Sequence, residues 1–265
     1  MNQHFLLIGA MKAGTSSLHH DLSLLDGVYM TPEKEPNDLI CDSVLTVDGE
    51  ARYLRKFNGA AKGDICGEAS TAYSQMPTHS GVPHRARQVL GETLRIIYMT
   101  RDPVDRIVSQ YQHLRALGFE TRPLNQAVLE DSTYVGYSAY QYQLEFWLNA
   151  FPKEQILTVK FEDYIDDPKA VLQTIAMFLE VTPPSSVSKT HRNSSAAKFY
   201  MPRGSFLHRL TSSRFIQYTI KPLLGRSLID ALRRLFLPKA VSTDEQLTPE
   251  TNQELKVRLS VLESS

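Results

Sequence analysis

The chain has 265 residues, 42% of them hydrophobic and 22% charged, with 29 basic and 29 acidic side chains and a formal net charge of zero. That length suits one α/β domain or two small ones, and the even charge balance leaves no global field to draw nucleic acid. The two cysteines, Cys41 and Cys66, lack metal-ligand spacing, which argues against a zinc site or a disulfide scaffold and for free thiols in a reducing compartment.

The first apolar run, Phe5 to Gly9, is too short to cross a membrane and has no charged leader before it, so it predicts a buried strand. No later run approaches the roughly 18 apolar residues of a spanning helix, and a soluble cytoplasmic protein is expected. Leu18, Leu22 and Leu25 then recur at helical spacing, with Gly27 as a stop. Thr31 to Asp38, TPEKEPND, reads as a loop, Asp48 to Phe57 as a short helix, and Asp64 to Ser74 as a strand running into a polar loop. Leu94 to Met99 is a second clear strand. Asp102 and Pro103 cap the helix after it, Ile107, Val108, Tyr111 and Leu114 give that helix its apolar face, and Gly118 ends it. A helix over Tyr137 to Phe151, a strand over Gln155 to Lys160 and a helix over Pro168 to Leu179 follow. Near the C-terminus, Thr248 and Pro249 cap a last helix.

Strands alternating with helices predict an α/β fold: a single P-loop-like domain with a central parallel sheet flanked by helices. Its core is expected over about residues 4–181, with a less regular, partly helical C-terminal region over 182–265. In such sheets ligands sit at the carboxyl ends of the strands, so the loops after Gly9, Gly67 and Met99 should share one rim.

The glycine turn GAMKAGTS follows its strand as a phosphate loop would. The nucleoside-triphosphate form, GxxxxGK[ST], places its lysine after the second glycine; here Thr15 stands there and the only lysine is Lys12. Backbone N–H groups of Ala13, Gly14, Thr15, Ser16 and Ser17 can still face an anion at a helix N-terminus. The loop therefore suits phosphate better than a magnesium-bound triphosphate. A turn that binds nothing remains the plain alternative.

Several stretches together resemble one family, the sulfotransferases that use 3′-phosphoadenosine-5′-phosphosulfate (PAPS). GAMKAGTSSL resembles its 5′-phosphosulfate loop, YMTRDPVDRIVSQYQH its 3′-phosphate motif, and PEKEP the Lys-Glu-Pro segment of the heparan-sulfate-type and related bacterial branch. GEASTAY and FPKEQILTVKFEDYIDDP resemble later segments of that branch, and the likeness covers roughly Phe5 to Val181 in the right order. Ala69 and Ala72 depart from the lysine and proline common there, which weakens the case for a sulfated-polysaccharide acceptor.

The resemblance implies a PAPS-dependent sulfotransferase of the EC 2.8.2 type, with adenosine 3′,5′-bisphosphate (PAP) as product and no metal required. It places Lys12 at the bridging oxygen, the loop N–H groups and the hydroxyls of Thr15 and Ser16 at the 5′-phosphate, and Arg101 and Ser109 at the 3′-phosphate. Glu35 becomes the general base, with Glu68 as second candidate, and Arg192 and Lys198 in KTHRNSSAAKFYMPRG join the donor site. The acceptor is a hydroxyl or amine of a small molecule, lipid or glycan; neither nucleic acid nor a transmembrane anchor is expected, and a homodimer stays open. Taken singly, Arg101 could be a strand-end residue bound to a carboxylate, Ser109 a polar helix residue, Glu35 solvated loop charge and Glu68 a structural hydrogen-bond partner. The basic stretch Phe206 to Leu237 reads as amphipathic helices on the core, or as an acceptor lid or membrane patch. An NTP-dependent kinase or a non-catalytic nucleotide module are the competing functions; the kinase would need a lysine at the Thr15 position and a magnesium-binding carboxylate. Asp102 superficially resembles that carboxylate but is better read as a helix cap.

Overall fold

A computed structural model describes residues 3–185 and 245–264. Its centre is a five-stranded sheet of β1 (His4–Leu7), β2 (Val28–Met30), β3 (Ile65–Ala69), β4 (Arg95–Thr100) and β5 (Ile156–Lys160), in the order β2-β3-β1-β4-β5. Every neighbouring pair is parallel. Phe5, Leu6 and Leu7 of β1 and Ile96 to Met99 of β4 are fully buried, as expected of strands covered on both faces. Leu7 pairs with Ala69 on one side and Ile97 on the other, so β1, β3 and β4 deliver their following loops to one rim, as predicted.

Around the sheet run α1 (Thr15–Leu22), α2 (Val47–Leu54), α3 (Val82–Leu90), α4 (Pro103–Ala116), α5 (Leu124–Glu130), α6 (Ser132–Gly136), α7 (Tyr140–Leu148), α8 (Phe161–Asp166) and α9 (Pro168–Leu179). The predicted caps form: the Asp102 side chain accepts from the Asp105 N–H at 2.9 Å, and Thr248 Oγ1 accepts from the Thr251 N–H at 3.2 Å. The last helix, α10 (Pro249–Ser264), buries Leu255 and Leu259 against Ile107 and Tyr111 of α4 and the apolar residues of α5 and α6. That second apolar cluster supports α4 from the side away from the sheet's own core. Both cysteines are free thiols, Cys41 exposed and Cys66 buried. No helix among the described residues is long and apolar enough to cross a membrane. Arg192, Lys198 and the basic stretch from Phe206 to Leu237 lie outside the described residues.

Four differences from the sequence reading have simple causes. Strand β2 has only three residues, too few for an alternating pattern to show. Helices α3, α5 and α6 are short, and their burial comes from tertiary packing rather than a long apolar stripe. The predicted helix at Tyr137 begins at Tyr140. The segment FEDYID, to which the sequence reading assigns no helix, forms α8.

The turn between α4 and α5 is held by Glu120. Its carboxylate accepts from the N–H groups of Thr121 and Arg122, from the Arg122 guanidinium at 2.7 Å and from the Tyr134 hydroxyl at 3.3 Å. The Arg122 guanidinium, chiefly, holds the Glu120 carboxyl down at about 2, against 4.5 for a free glutamate. A carboxyl depressed on folding contributes stability above its unfolded value and loses it as pH falls through its folded value. Glu120→Gln should thus lower the melting temperature at pH 7, and thermal melts between pH 5 and 2 should show the gap to wild type closing.

Candidate active site

The loop after β1 is the first component. Ala10 N–H donates to the Met99 carbonyl and Met99 N–H to the Gly9 carbonyl, which lash the loop to the end of β4. The turn is sharp: Lys12 has φ 72° and Gly14 φ 90°, both left-handed, a region that costs a non-glycine residue about 1–2 kcal/mol. Gly14 is glycine for a further reason, since a Cβ there would lie 2.6 Å from the Phe161 ring. Of the five predicted loop donors, Ala13 N–H turns inward to the Ala10 carbonyl and Ser17 N–H to the Gly14 carbonyl. The N–H groups of Gly14, Thr15 and Ser16 have no partner among the described residues. Three amides at a helix N-terminus, in a turn rigidly tied to two strands, form a ready anion cradle. The Thr15 side chain is buried and that of Ser16 exposed.

Arg101 leaves the end of β4 beside this loop. Its Nη1 reaches the Lys12 carbonyl at 3.4 Å and its Nη2 reaches Asp105 at 3.4 Å. The guanidinium lies over the Phe161 ring, 5.1 Å from its centroid. The plain carboxylate-pair reading is therefore partly true. It leaves one atom over: among the described residues, Arg101 Nε is buried with no hydrogen-bond partner. A buried guanidinium N–H without an acceptor is costly, and a phosphate oxygen is the acceptor whose geometry it fits. Ser109 lies one helical turn beyond Asp105 on α4, on the same face as that Arg101 contact.

Glu35 forms the opposite wall. The loop after β2 brings it to the end of β3, where its N–H donates to the Ala69 carbonyl at 2.9 Å. Its backbone is left-handed, φ 59°. The carboxylate accepts from the Thr71 N–H at 2.8 Å, from the Thr71 hydroxyl at 3.2 Å and from the Lys34 ammonium at 2.5 Å. With about a third of the side chain exposed, it is oriented yet open to the rim.

Glu68 is placed differently. It is fully buried, and accepts from the Tyr53 hydroxyl at 2.5 Å and the Ser70 hydroxyl at 2.6 Å. Burial pushes its carboxyl up, while hydrogen bonds from Ser70, Tyr53 and Tyr73 pull it back. The same hydroxyls of Ser70 and Tyr73 accept from the N–H groups of Asn37 and Leu39. Glu68 thus underpins the loop that carries Glu35, and its carboxyl does not open onto the rim.

Several contributors were not singled out from the sequence. Phe161, at the start of α8, packs against Gly14 and under the Arg101 guanidinium; Glu162 accepts from the Asp102 N–H at 2.9 Å; and Tyr140 accepts from the Arg101 N–H at 3.3 Å. The FED string was visible, but nothing local shows that its aromatic ring lies under a glycine almost 150 residues earlier. Thr71 and Lys34 were equally unremarkable in isolation.

A strand–glycine turn–helix cradle at the carboxyl edge of a doubly covered parallel sheet defines a P-loop-like α/β protein. Within that class the chain belongs to the sulfotransferase domain family, whose profile matches residues 2–201. The family anticipated from GAMKAGTSSL and its companions is the family found. A curated relative is the bifunctional heparan sulfate N-deacetylase/N-sulfotransferase 2 of Homo sapiens, 29% identical over 209 residues that make up 71% of this chain and 23% of that protein. The chain thus spans about a quarter of that relative's length. Among solved structures, a sulfotransferase from Alicyclobacillus acidocaldarius superposes with a TM-score of 0.66 at 22% identity, covering 100% of this chain and 96% of that one. Mouse sulfotransferase SULT7A1, solved in complex with PAP, superposes with a TM-score of 0.54 at 16% identity, covering 99% and 85%. Both share the fold.

Proposed function

We propose that this domain transfers the sulfuryl group of PAPS to a hydroxyl or amine of a small-molecule, lipid or glycan acceptor. One observation carries the donor assignment: two anion sites, the three open amides of the loop and the Arg101 Nε that has no partner among the described residues, both border the Phe161 ring. A donor with phosphates at both its 5′ and 3′ ends needs two such sites, and a nucleoside triphosphate does not. The PAP complex of the mouse protein of this fold supports the same reading.

PAPS supplies an activated sulfuryl group on a phosphate that leaves readily. The loop amides and the Thr15 and Ser16 hydroxyls hold the 5′-phosphate, and Arg101 with Ser109 holds the 3′-phosphate. Lys12 places its ammonium against the negative charge that grows on the bridging oxygen as the sulfur–oxygen bond breaks. Glu35 takes the proton of the acceptor as its oxygen or nitrogen bonds to sulfur, steadied by Thr71 and Lys34. The base role falls to Glu35 rather than Glu68 because only Glu35 opens onto the rim. Charge stabilisation by Lys12 and the amides leaves no step that calls for magnesium. The human relative's name points to an amine on heparan sulfate as one acceptor chemistry, although Ala69 stands where a lysine is common in that branch.

Differential thermal melts test the donor. A ligand at 100 times its dissociation constant stabilises the native state by about 2.7 kcal/mol, which for a domain of this size raises the melting temperature by roughly 5–10 °C. PAP should do so without magnesium. Stabilisation by ATP–magnesium alone would overturn the assignment in favour of the kinase.

A further inference from the structure

The guanidinium of Arg106 is fully buried on α4, and its acceptors among the described residues are all neutral. Nε donates to the Ser138 hydroxyl at 2.5 Å, Nη2 to Gln110 Oε1 at 2.6 Å and to the Tyr134 carbonyl at 3.0 Å, and Nη1 to the Met11 carbonyl at 3.3 Å. Among the described residues no carboxylate forms an ion pair with it. The contrast with the other well-buried arginine is plain, because Arg85 has Asp42 at 3.4 Å. Burial lowers its pKa to about 10, opposed by the nearby phenols of Tyr140, Tyr98, Tyr137 and Tyr134, so it stays protonated at neutral pH.

A buried cation without a counter-charge works against folding, and it persists where something else offsets it. One of its hydrogen bonds reaches the glycine loop, that from Nη1 to the Met11 carbonyl. Arg101 holds the next carbonyl, that of Lys12. The two guanidinium groups therefore hold consecutive loop carbonyls, and the open amides of Gly14, Thr15 and Ser16 follow after Ala13 in the same turn. In a low-dielectric interior a charge acts over this distance with little screening.

We propose that Arg106 is a positioning residue for donor binding, whose buried charge is balanced by the phosphates that the glycine loop receives, acting through the Met11 carbonyl rather than by contact. This rests on the donor reading above. The charge, not the hydrogen-bond pattern, is what the role requires.

Calorimetric titration of PAP into variants separates the two. Arg106→Gln should weaken PAP binding at least tenfold and reduce the slope of log affinity against log salt, whereas Arg106→Lys should weaken it less than threefold. Equal affinity in Arg106→Gln and wild type, or equal losses in the Gln and Lys variants, would overturn the proposal. Should Arg106→Gln fail to fold, the Ser138→Ala/Gln110→Ala double variant retains the charge while losing two acceptors. It should melt at a lower temperature yet bind PAP within threefold of wild type, and a tenfold loss there would also overturn the role. A wild-type protein that does not bind PAP would instead sink the donor reading itself.

Discussion

Glu35→Gln should abolish most turnover while leaving PAP affinity within about twofold of wild type. A positioned general base contributes roughly 10²–10⁴-fold, and the amide cannot take the acceptor's proton. The substitution is otherwise gentle. The glutamine oxygen can still accept from the Thr71 N–H, and the pair with Lys34 is partly exposed, so its loss costs at most about 1 kcal/mol. Turnover is read with labelled donor and an acceptor found by screening, and PAP affinity by calorimetry on the same preparations. A variant that turns over at the wild-type rate would move the proton elsewhere. A variant that loses PAP binding as well would mean that the carboxylate supports the rim rather than the chemistry.

Arg101→Ala should weaken PAP binding by roughly 10–100-fold, since hydrogen bonds to a charged group contribute about 1.5–3 kcal/mol and 1.4 kcal/mol is a factor of ten. The sharper expectation concerns selectivity. Adenosine 5′-phosphate lacks the 3′-phosphate, so its affinity should change little, and the preference for PAP should collapse. Equal losses for both ligands would show that Arg101 acts by bracing the Lys12 carbonyl instead. Competition titrations with the two nucleotides decide between them.

How far the sequence alone leads can be seen residue by residue. The strand runs at Phe5 and Leu94 were legible because buried parallel strands are nearly continuous in apolar residues, and that at Gln155 from its short β-branched run, although β5 is an edge strand with Thr158 and Lys160 exposed. The loop was legible because its backbone path demands glycine at fixed places. Ser109 was placed correctly on α4 because the Asp102–Pro103 cap sets the helix phase. Other features stayed hidden because they arise between distant segments. Thr71 meets Glu35 across 36 residues, and Phe161 slides under Gly14 only once β5 lies beside β4. Glu68 could be read as a base or a support, and only its enclosure by Tyr53, Ser70 and Tyr73 shows which carboxylate faces the open rim. Arg106 left a faint trace: with Gln110 it sits one position before Ile107 and Tyr111, so the buried stripe of α4 is two residues wide and half of it is polar.

The left-handed backbone at Lys12 and Glu35 has a consequence for how such a protein tolerates change. Glycine would relax either position, so a library screened for heat resistance alone would drift towards glycine at 12 and 35. Each gain would remove an ammonium or a carboxylate from the rim. Hardiness and chemistry pull in opposite directions at these two positions. Durable variants should draw their robustness from places such as the α4–α10 cluster, where extra packing asks nothing of the rim.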